Sequence, residues 1–191
     1  MKNDDLYTIT PQVGKILIAS PFLDSTSFAR SVILLITYES GFMGIVINKL
    51  SDSPKKVNTL IDSLKEAPAI PLYNGGIVDK DVLFCMHTNP NIKDSLCIRK
   101  GLYINGDFSQ IEKMALNSDK QDSKAKFCIG YAGWTEGQLE QEIEDGSWVV
   151  SDADSDLLFS ENINQIWGTA LRRMGEPYSI WTQFPLEPLL N

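Results

Sequence analysis

The chain has little histidine, few thiols and no standard nucleotide-binding loop. Its 191 residues contain one histidine, His87, and three cysteines. An odd number of cysteines without CxxC spacing argues against both a disulfide framework and a zinc knuckle. There is no GxxxxGK[ST], and no GxGxxG follows a strand, so nucleotide binding by these motifs is not expected. We therefore predict neither a metal nor a cofactor.

Long apolar segments are also missing. No segment approaches the ~20 apolar residues of a membrane span. The first ten residues, MKNDDLYTIT, are acidic and lack the apolar core of a secretory signal. These absences predict a cytoplasmic protein that does not contact a membrane. A length of 191 residues with 43% hydrophobic content suits a single domain covering residues 1–191.

Basic residues are outnumbered by acidic ones. The chain has 17 Lys and Arg against 25 Asp and Glu, a net charge of −8. This charge repels a phosphate backbone, so direct nucleic-acid binding is not expected. The candidate basic doublets are Lys55–Lys56, Arg99–Lys100 and Arg172–Arg173. A simpler interpretation is that each is a solvated loop or helix end.

Hydrophobic periodicity predicts closely spaced strands together with helices. Amphipathic helices are predicted near 55–66, 107–116, Glu136–Glu144 and Asn162–Met174. Predicted strands are Lys15–Ala19, Val32–Thr37, Met43–Asn48, Val82–His87, Leu96–Ile98, Leu102–Ile104, Phe127–Ala132 and Trp148–Val150. Hairpins mixed with helical connections favour an α+β domain with a mixed or mostly antiparallel sheet. Residues 1–11 are predicted to fray, and the proline-containing tail 176–191 to wrap the surface through Trp181 and Phe184.

The most informative stretch is FCIGYAGWTEGQLEQE, which changes from strand to helix through a tryptophan between glycines. Gly133 is expected to turn the backbone, and the spacing of Thr135 and Gln138 is that of a capping box. A fixed turn makes Trp134 and Gln138 candidate binding residues, although they also suit a core residue and a cap. On the following helix Glu140 and Glu144 share a face, whereas Glu142 is expected to point away.

Two other arrangements could carry chemistry. Cys85 and His87 are two apart on a predicted strand and share a face, as a nucleophile and its base would. The alternative is that both pack at a strand end, with the imidazole bonded to backbone. Arg30 precedes a buried strand and could bind an anion, although an internal ion pair with a carboxylate such as Glu140 is favoured.

In order along the chain, these segments resemble the YqgE/AlgH family of bacterial proteins. The matching pieces are GKILIASP at Gly14–Pro21, Phe28–Val32, Met43–Asn48, Gly75–Val78, Met86–His87, GYAGWTEGQLE at Gly130–Glu140, and Trp167, Ala170, Leu171 and Gly175. Thr26, Leu50 and Ile77 stand where the family usually has proline, and Lys49 where it has arginine. The resemblance implies a compact α+β fold with a curved, barrel-like sheet.

The resemblance brings no established reaction, although one branch of the family has been called a transcriptional regulator. Since nothing resembles a helix-turn-helix, regulation through a protein partner is the easier route. The leading hypothesis is a non-enzymatic binding or regulatory protein, monomeric or homodimeric, that recognises a protein or a small ligand. Its candidate site residues are Trp134, Gln138, Glu140, Arg30, Asn48 and His87. The alternative is a small-molecule enzyme, such as a hydrolase, using His87 with Cys85 or Glu140.

Overall fold

The computed structural model describes residues 10–23, 27–52, 56–65, 69–116 and 123–185. The strands are β1 (Lys15–Ala19), β2 (Val32–Tyr38), β3 (Phe42–Val46), β4 (Leu72–Asn74), β5 (Val78–His87), β6 (Leu96–Arg99), β7 (Leu102–Ile104), β8 (Ala125–Gly133) and β9 (Trp148–Asp152). The α-helices are α1 (Val57–Leu60), α2 (Phe108–Leu116), α3 (Gln138–Glu144), α4 (Ser155–Leu158) and α5 (Ile163–Met174). Two 3₁₀ helices cover Asp62–Leu64 and Tyr178–Gln183.

The strands form one curled, half-barrel sheet. Their order is β6-β7-β5-β8-β3-β2-β1-β9, with every neighbouring pair antiparallel, and β4 joins β8 in parallel. The predicted α+β class and curved, mostly antiparallel sheet are confirmed. β3 ends earlier than predicted, and β5 begins earlier, at Val78. The predicted frayed start lies outside the described residues except at its last two positions.

Both faces of the central strands are covered, which explains why β1 and β2 are nearly continuous apolar runs. One face of these strands packs on α5, whose buried residues include Ile166 and Trp167. The opposite face packs against Leu139 of α3. The Trp167 indole N–H donates to the Ala19 carbonyl (2.8 Å), which ties α5 to the end of β1.

The single helix predicted over residues 55–66 is wrong, because one turn, α1, is followed by a 3₁₀ turn. The Asn58 side chain donates to the Leu64 carbonyl (2.7 Å) and accepts the Ile70 N–H (2.8 Å). Such side-chain bonds compete with helical backbone bonds. The apolar spacing still identified buried positions, since Val57 and Leu64 are fully buried.

Gly75 joins the two halves of the sheet. Its carbonyl accepts the Val46 N–H (2.8 Å) and its own N–H donates to the Ile129 carbonyl (2.7 Å). The direct pairing of β3 with β8 extends only as far as Gly44 and Ala132. Beyond that point the two strands separate, and the backbone at Gly75 bridges them.

This bridge requires glycine. A Cβ at Gly75 would lie 2.3 Å from the carbonyl oxygen of Gly130, a backbone atom fixed within β8. Gly130 itself has φ +71°, a conformation that L side chains rarely adopt. β8 does end at Gly133, but the expectation that a Cβ would obstruct the turn there is wrong, because it would meet only the Tyr131 ring, at an ordinary 3.5 Å.

We predict that Gly75→Ala lowers the free energy of unfolding by about 1–3 kcal/mol or more, because the added methyl must push two backbone segments apart. Gly133→Ala is the matched control and should change it by less than about 0.5 kcal/mol. Chemical denaturation of both variants measures the difference. Equal stabilities would contradict the bridging role of Gly75.

Candidate functional site

One carboxylate, Glu142, collects three side-chain hydrogen bonds beside the end of β8. The indole N–H groups of Trp134 and Trp148 both donate to its Oε2 at 2.8 Å. The Gln138 amide donates to Oε1 at 2.9 Å. Gln138 and Glu142 are four residues apart on α3 and therefore share a face. The two indole rings meet edge to face, with centroids 6.0 Å apart, so the whole cluster has a defined orientation.

This cluster lines a cavity of about 340 Å³, called the aromatic pocket below. Phe28 adds a third ring, edge to face with Trp148 at 6.1 Å. The complete lining is Leu23, Phe28, Ile77, Val78, Ala132, Gly133, Trp134, Gln138, Glu142, Ser147 and Trp148. In the described part of the chain, no lysine or arginine forms an ion pair with Glu142. The pocket therefore combines aromatic walls with a negative charge that no described cation balances.

The turn before α3 differs in part from the predicted capping box. Gln138 Oε1 accepts the Thr135 N–H (3.0 Å), as predicted, but the Thr135 hydroxyl donates to the same oxygen instead of capping the helix. α3 begins at Gln138, later than expected, after Gly137 with φ +78°. Glu140 is exposed, whereas Glu142, which was expected to point away from the face of Glu140 and Glu144, is at the centre of the cluster.

Glu142 and Trp148 were missed by the sequence analysis, although one signal was present. Gln138 and Glu142 have helical i, i+4 spacing, and Gln138 was already a candidate residue. Glu140 and Glu144, whose spacing is the same, lie on a different face of α3. Trp148 gave no such signal, because β9 is separated from β8 by three strands in the sheet and the hydrogen bonds that link it to the Trp134 turn run through Glu142 of α3.

A second cavity, called the cationic cleft below, adjoins the aromatic pocket and has a volume of about 830 Å³. Phe28 and Ile77 line both cavities. The cleft is further lined by Ser27, Ala29, Arg30, Val46, Asn48, Lys49, Leu50, Asp52, Asn74, Gly76, Lys80, Ile163, Asn164 and Trp167. Its charged residues are three cations and one carboxylate.

Asn48 holds the backbone around Arg30. Its Oδ1 accepts the Val32 N–H (2.8 Å) and its Nδ2 donates to the Arg30 carbonyl (2.9 Å). Arg30 has φ +53°, which is uncommon for a residue other than glycine. Such strained conformations persist where the surroundings determine them, and they concentrate at functional sites.

The internal ion pair predicted for Arg30 is not formed among the described residues. The guanidinium lies over the Trp167 ring, with Cζ 4.9 Å from the ring centroid, and Nη2 donates to the Phe184 carbonyl. Glu140 projects from α3 on the opposite face of the sheet from Trp167. Packing on α5 and the C-terminal tail has therefore replaced the expected carboxylate.

His87 is separated from the other candidate residues. It pairs with Ala125 at the start of β8, whereas the Trp134 turn follows the end of this strand. At about 3.3 Å per residue, the two ends of β8 lie roughly 26 Å apart. The ring is fully buried, its Nε2 donates to the Asn105 carbonyl (2.8 Å), and burial lowers its pKa. His87 cannot act with Glu140, which corrects the proposed pairing.

Cys85 does not form a nucleophile–base pair with His87. Its Sγ lies 3.9 Å from the Met86 carbonyl oxygen, and burial in an apolar cluster raises the pKa of the thiol. A thiol with a raised pKa carries little of the reactive thiolate. Burial likewise raises the pKa of Cys128 to about 12, so the enzyme hypothesis finds no activated cysteine at either position.

We predict that thiol alkylation in the native state modifies Cys97 first, because its side chain is exposed whereas Cys85 and Cys128 are buried. Cys85 and Cys128 should react at rates limited by unfolding. Mass spectrometry of protein sampled during iodoacetamide treatment measures the order. Rapid, preferential modification of Cys85 would restore the nucleophile hypothesis.

Lys126 is a buried cation without a carboxylate partner among the described residues. It is 4% exposed, its Nζ donates to the Ile47 carbonyl (3.0 Å), and it lies over the Tyr73 ring at 4.6 Å. Burial lowers the pKa of Lys126 to about 8. Burying the charged form costs free energy, so protonation of this residue opposes folding.

The pH dependence follows from the sign of this pKa difference. Between about pH 8 and 10.5 the unfolded chain binds more protons at Lys126 than the folded chain, so its contribution to stability rises with pH. Relative to Lys126→Met, the wild-type free energy of unfolding should rise by about 1–2 kcal/mol between pH 8 and 9.5. Denaturation curves for both proteins across this range measure the change, and a constant difference would contradict it.

Within the described residues, no group of three or more His, Cys, Asp or Glu side chains is placed to hold a metal ion. The same residues include no helix long and apolar enough to cross a membrane.

The fold and the two cavities define an α+β half-barrel protein with adjoining sites of opposite charge. The chain belongs to the AlgH-like family, whose profile matches residues 16–179. A UPF0301 protein of Parabacteroides distasonis is 42% identical over 186 residues, covering 96% of this chain and 93% of the relative. One of Bacteroides thetaiotaomicron is 41% identical over 184 residues, with the same coverage of 96% and 93%.

Solved structures show the same architecture. A crystal structure of a Corynebacterium diphtheriae protein has a TM-score of 0.75 at 26% identity and covers 92% of this chain and 93% of that one. The solution structure of AlgH from Pseudomonas aeruginosa has a TM-score of 0.68 at 27% identity, covering 97% and 98%. The family resemblance predicted from the sequence is confirmed.

Proposed function

We propose that this chain is a non-enzymatic, cytoplasmic binding protein with a regulatory role, which acts through a protein partner and not by binding DNA directly. Its recognition site is the aromatic pocket, which receives a basic side chain of that partner. The observation that carries this proposal is the Glu142 carboxylate, fixed by Trp134, Trp148 and Gln138 at the wall of the pocket.

Charge complementarity supports a basic occupant. Aromatic rings attract cations through their electron-rich faces, and the carboxylate adds a negative charge that no described lysine or arginine pairs with. Three of the carboxylate lone pairs are already used by the indoles and by Gln138, which fixes the group without neutralising it. An arginine or lysine side chain would supply the missing cation.

Binding fits the lining of the cavities better than catalysis does. Among the described residues, neither cavity is lined by a cysteine or a histidine. The sole histidine and the buried thiols lie in other parts of the fold, so a nucleophile and its base do not meet at either cavity. The net charge of −8 also favours a basic protein surface over a nucleic acid as the partner.

The indole signals of the chain provide a direct test. We predict that Nα-acetyl-arginine amide shifts the indole N–H resonances of Trp134 and Trp148 in ¹H–¹⁵N spectra, because its cation enters the aromatic pocket. Nα-acetyl-citrulline amide has nearly the same shape without the charge and should bind much more weakly. The Trp181 indole, outside both cavities, serves as an internal reference.

Two glutamate variants separate a local charge effect from a general one. Glu142→Gln keeps an oxygen for the two indoles but removes the charge, and should weaken arginine amide binding roughly tenfold, about 1.4 kcal/mol. Glu140→Gln removes the same charge from an exposed position of α3 and should leave binding unchanged. Thermal unfolding verifies that both variants are folded. Equal affinities for the arginine and citrulline probes would overturn the proposal.

A further inference from the structure

The cationic cleft is lined by more positive than negative side chains. Arg30, Lys49 and Lys80 line it together with a single carboxylate, Asp52. In the part of the chain that the structure describes, none of the three cations forms an ion pair. The chain as a whole has a net charge of −8. Three cations that line one cleft without an ion pair among the described residues therefore differ from the charge balance of the rest of the chain.

The Arg30 guanidinium is held in place, and most of its N–H groups form no hydrogen bond with the described residues. Stacking over Trp167 and one hydrogen bond to the Phe184 carbonyl fix its plane. Arginine has five N–H donors, and the described residues engage it through that one bond. A planar group with several remaining donors matches the paired oxygens of a carboxylate or a phosphate.

Lys49 and Lys80 line the same cleft but belong to other segments of the chain. Lys49 follows Asn48, and its Nζ donates to the Ser27 carbonyl (2.7 Å), with burial lowering its pKa. Lys80 lies in the irregular part of β5, where the pairing with β8 shifts register between Val78 and Leu83. Lys80 lines the cleft together with Arg30, although the two residues belong to different segments of the chain.

We infer that the cationic cleft is a second binding site, which takes a small multivalent oxyanion carrying phosphate or carboxylate groups. Arg30 would pair with two oxygens of the anion, and the lysines would neutralise its remaining charge. A cleft of about 830 Å³ is within the usual range for small-ligand sites, so it can hold a molecule larger than a single inorganic ion. This inference does not rest on the basic partner group proposed for the aromatic pocket.

Isothermal titration of the full chain with pyrophosphate and, separately, with citrate tests this inference at constant ionic strength. Binding of one probe or both is expected, and the preferred probe identifies phosphate or carboxylate as the natural group. The Trp167 indole resonance should shift on binding, since this ring lines the cleft. If neither probe binds, the inference is overturned, whatever the result with arginine amide at the aromatic pocket.

Charge-matched variants locate the site. Arg30→Gln should weaken binding at least about tenfold and Lys80→Gln about threefold, as expected for the loss of charge-assisted hydrogen bonds. Lys100→Gln removes the same charge from the exposed β6–β7 turn and should stay within about twofold. Since Lys80 is exposed, its variant remains informative even if Arg30→Gln fails to fold. Equal losses for Lys80→Gln and Lys100→Gln would show nonspecific attraction and overturn the inference.

Discussion

The architecture depends on a backbone contact between Gly75 and the strands on either side of it. With one N–H and one carbonyl, Gly75 connects β3 to β8 where their own pairing has stopped. Without this bridge the direct link between β3 and β8 would be two residue pairs, and the other backbone bonds between the halves would include those of Lys49 and Ser51 to β4. Asn74 and Gly76, the neighbours of Gly75, line the cationic cleft. The segment that bridges the sheet therefore also forms part of the wall of this cleft.

A second fixed point, Glu142, organises the other cavity. An ionised carboxylate that accepts two indole N–H groups imposes one arrangement on two large rings from different parts of the chain. Hydrogen bonds to a charged acceptor are stronger than neutral ones, so the cluster resists rearrangement when a ligand enters. The pocket walls are thus preorganised by the protein, which reduces the entropy cost of binding.

Much of the fold was predictable because local patterns and tertiary packing agree. The apolar stripe of α5 is visible in the sequence as helical periodicity. The burial of β1 and β2 on both faces is visible as nearly continuous apolar runs. The helix predicted near 55–66 is wrong because the Asn58 side chain forms hydrogen bonds that hydrophobic periodicity does not reveal. The glycine requirement was assigned to Gly133 when it belongs to Gly75, since close approach between distant backbones is invisible in a single sequence.

The sequence identified residues that line the two cavities, but it did not show which of these residues lie together. Trp134 and Gln138 line the aromatic pocket, and Arg30 and Asn48 line the cationic cleft. His87 was grouped with them because it is a unique residue type, yet strand length separates it from the turn. Glu142 was not predicted as a site residue, because helical periodicity alone does not show which face of α3 meets β9. The packing of α3 against both tryptophans supplied what the pattern lacked.

The two cavities share Phe28 and Ile77, so apolar side chains separate a negative site from a positive one. If both proposed ligands bind, an anion in the cationic cleft would lower the electrostatic potential at the aromatic pocket and favour a cation there. Thermodynamic linkage would make this effect reciprocal, so a basic group in the pocket would favour the anion by the same factor. The opposite charges of the two adjoining cavities would then couple the two binding events without any change of fold.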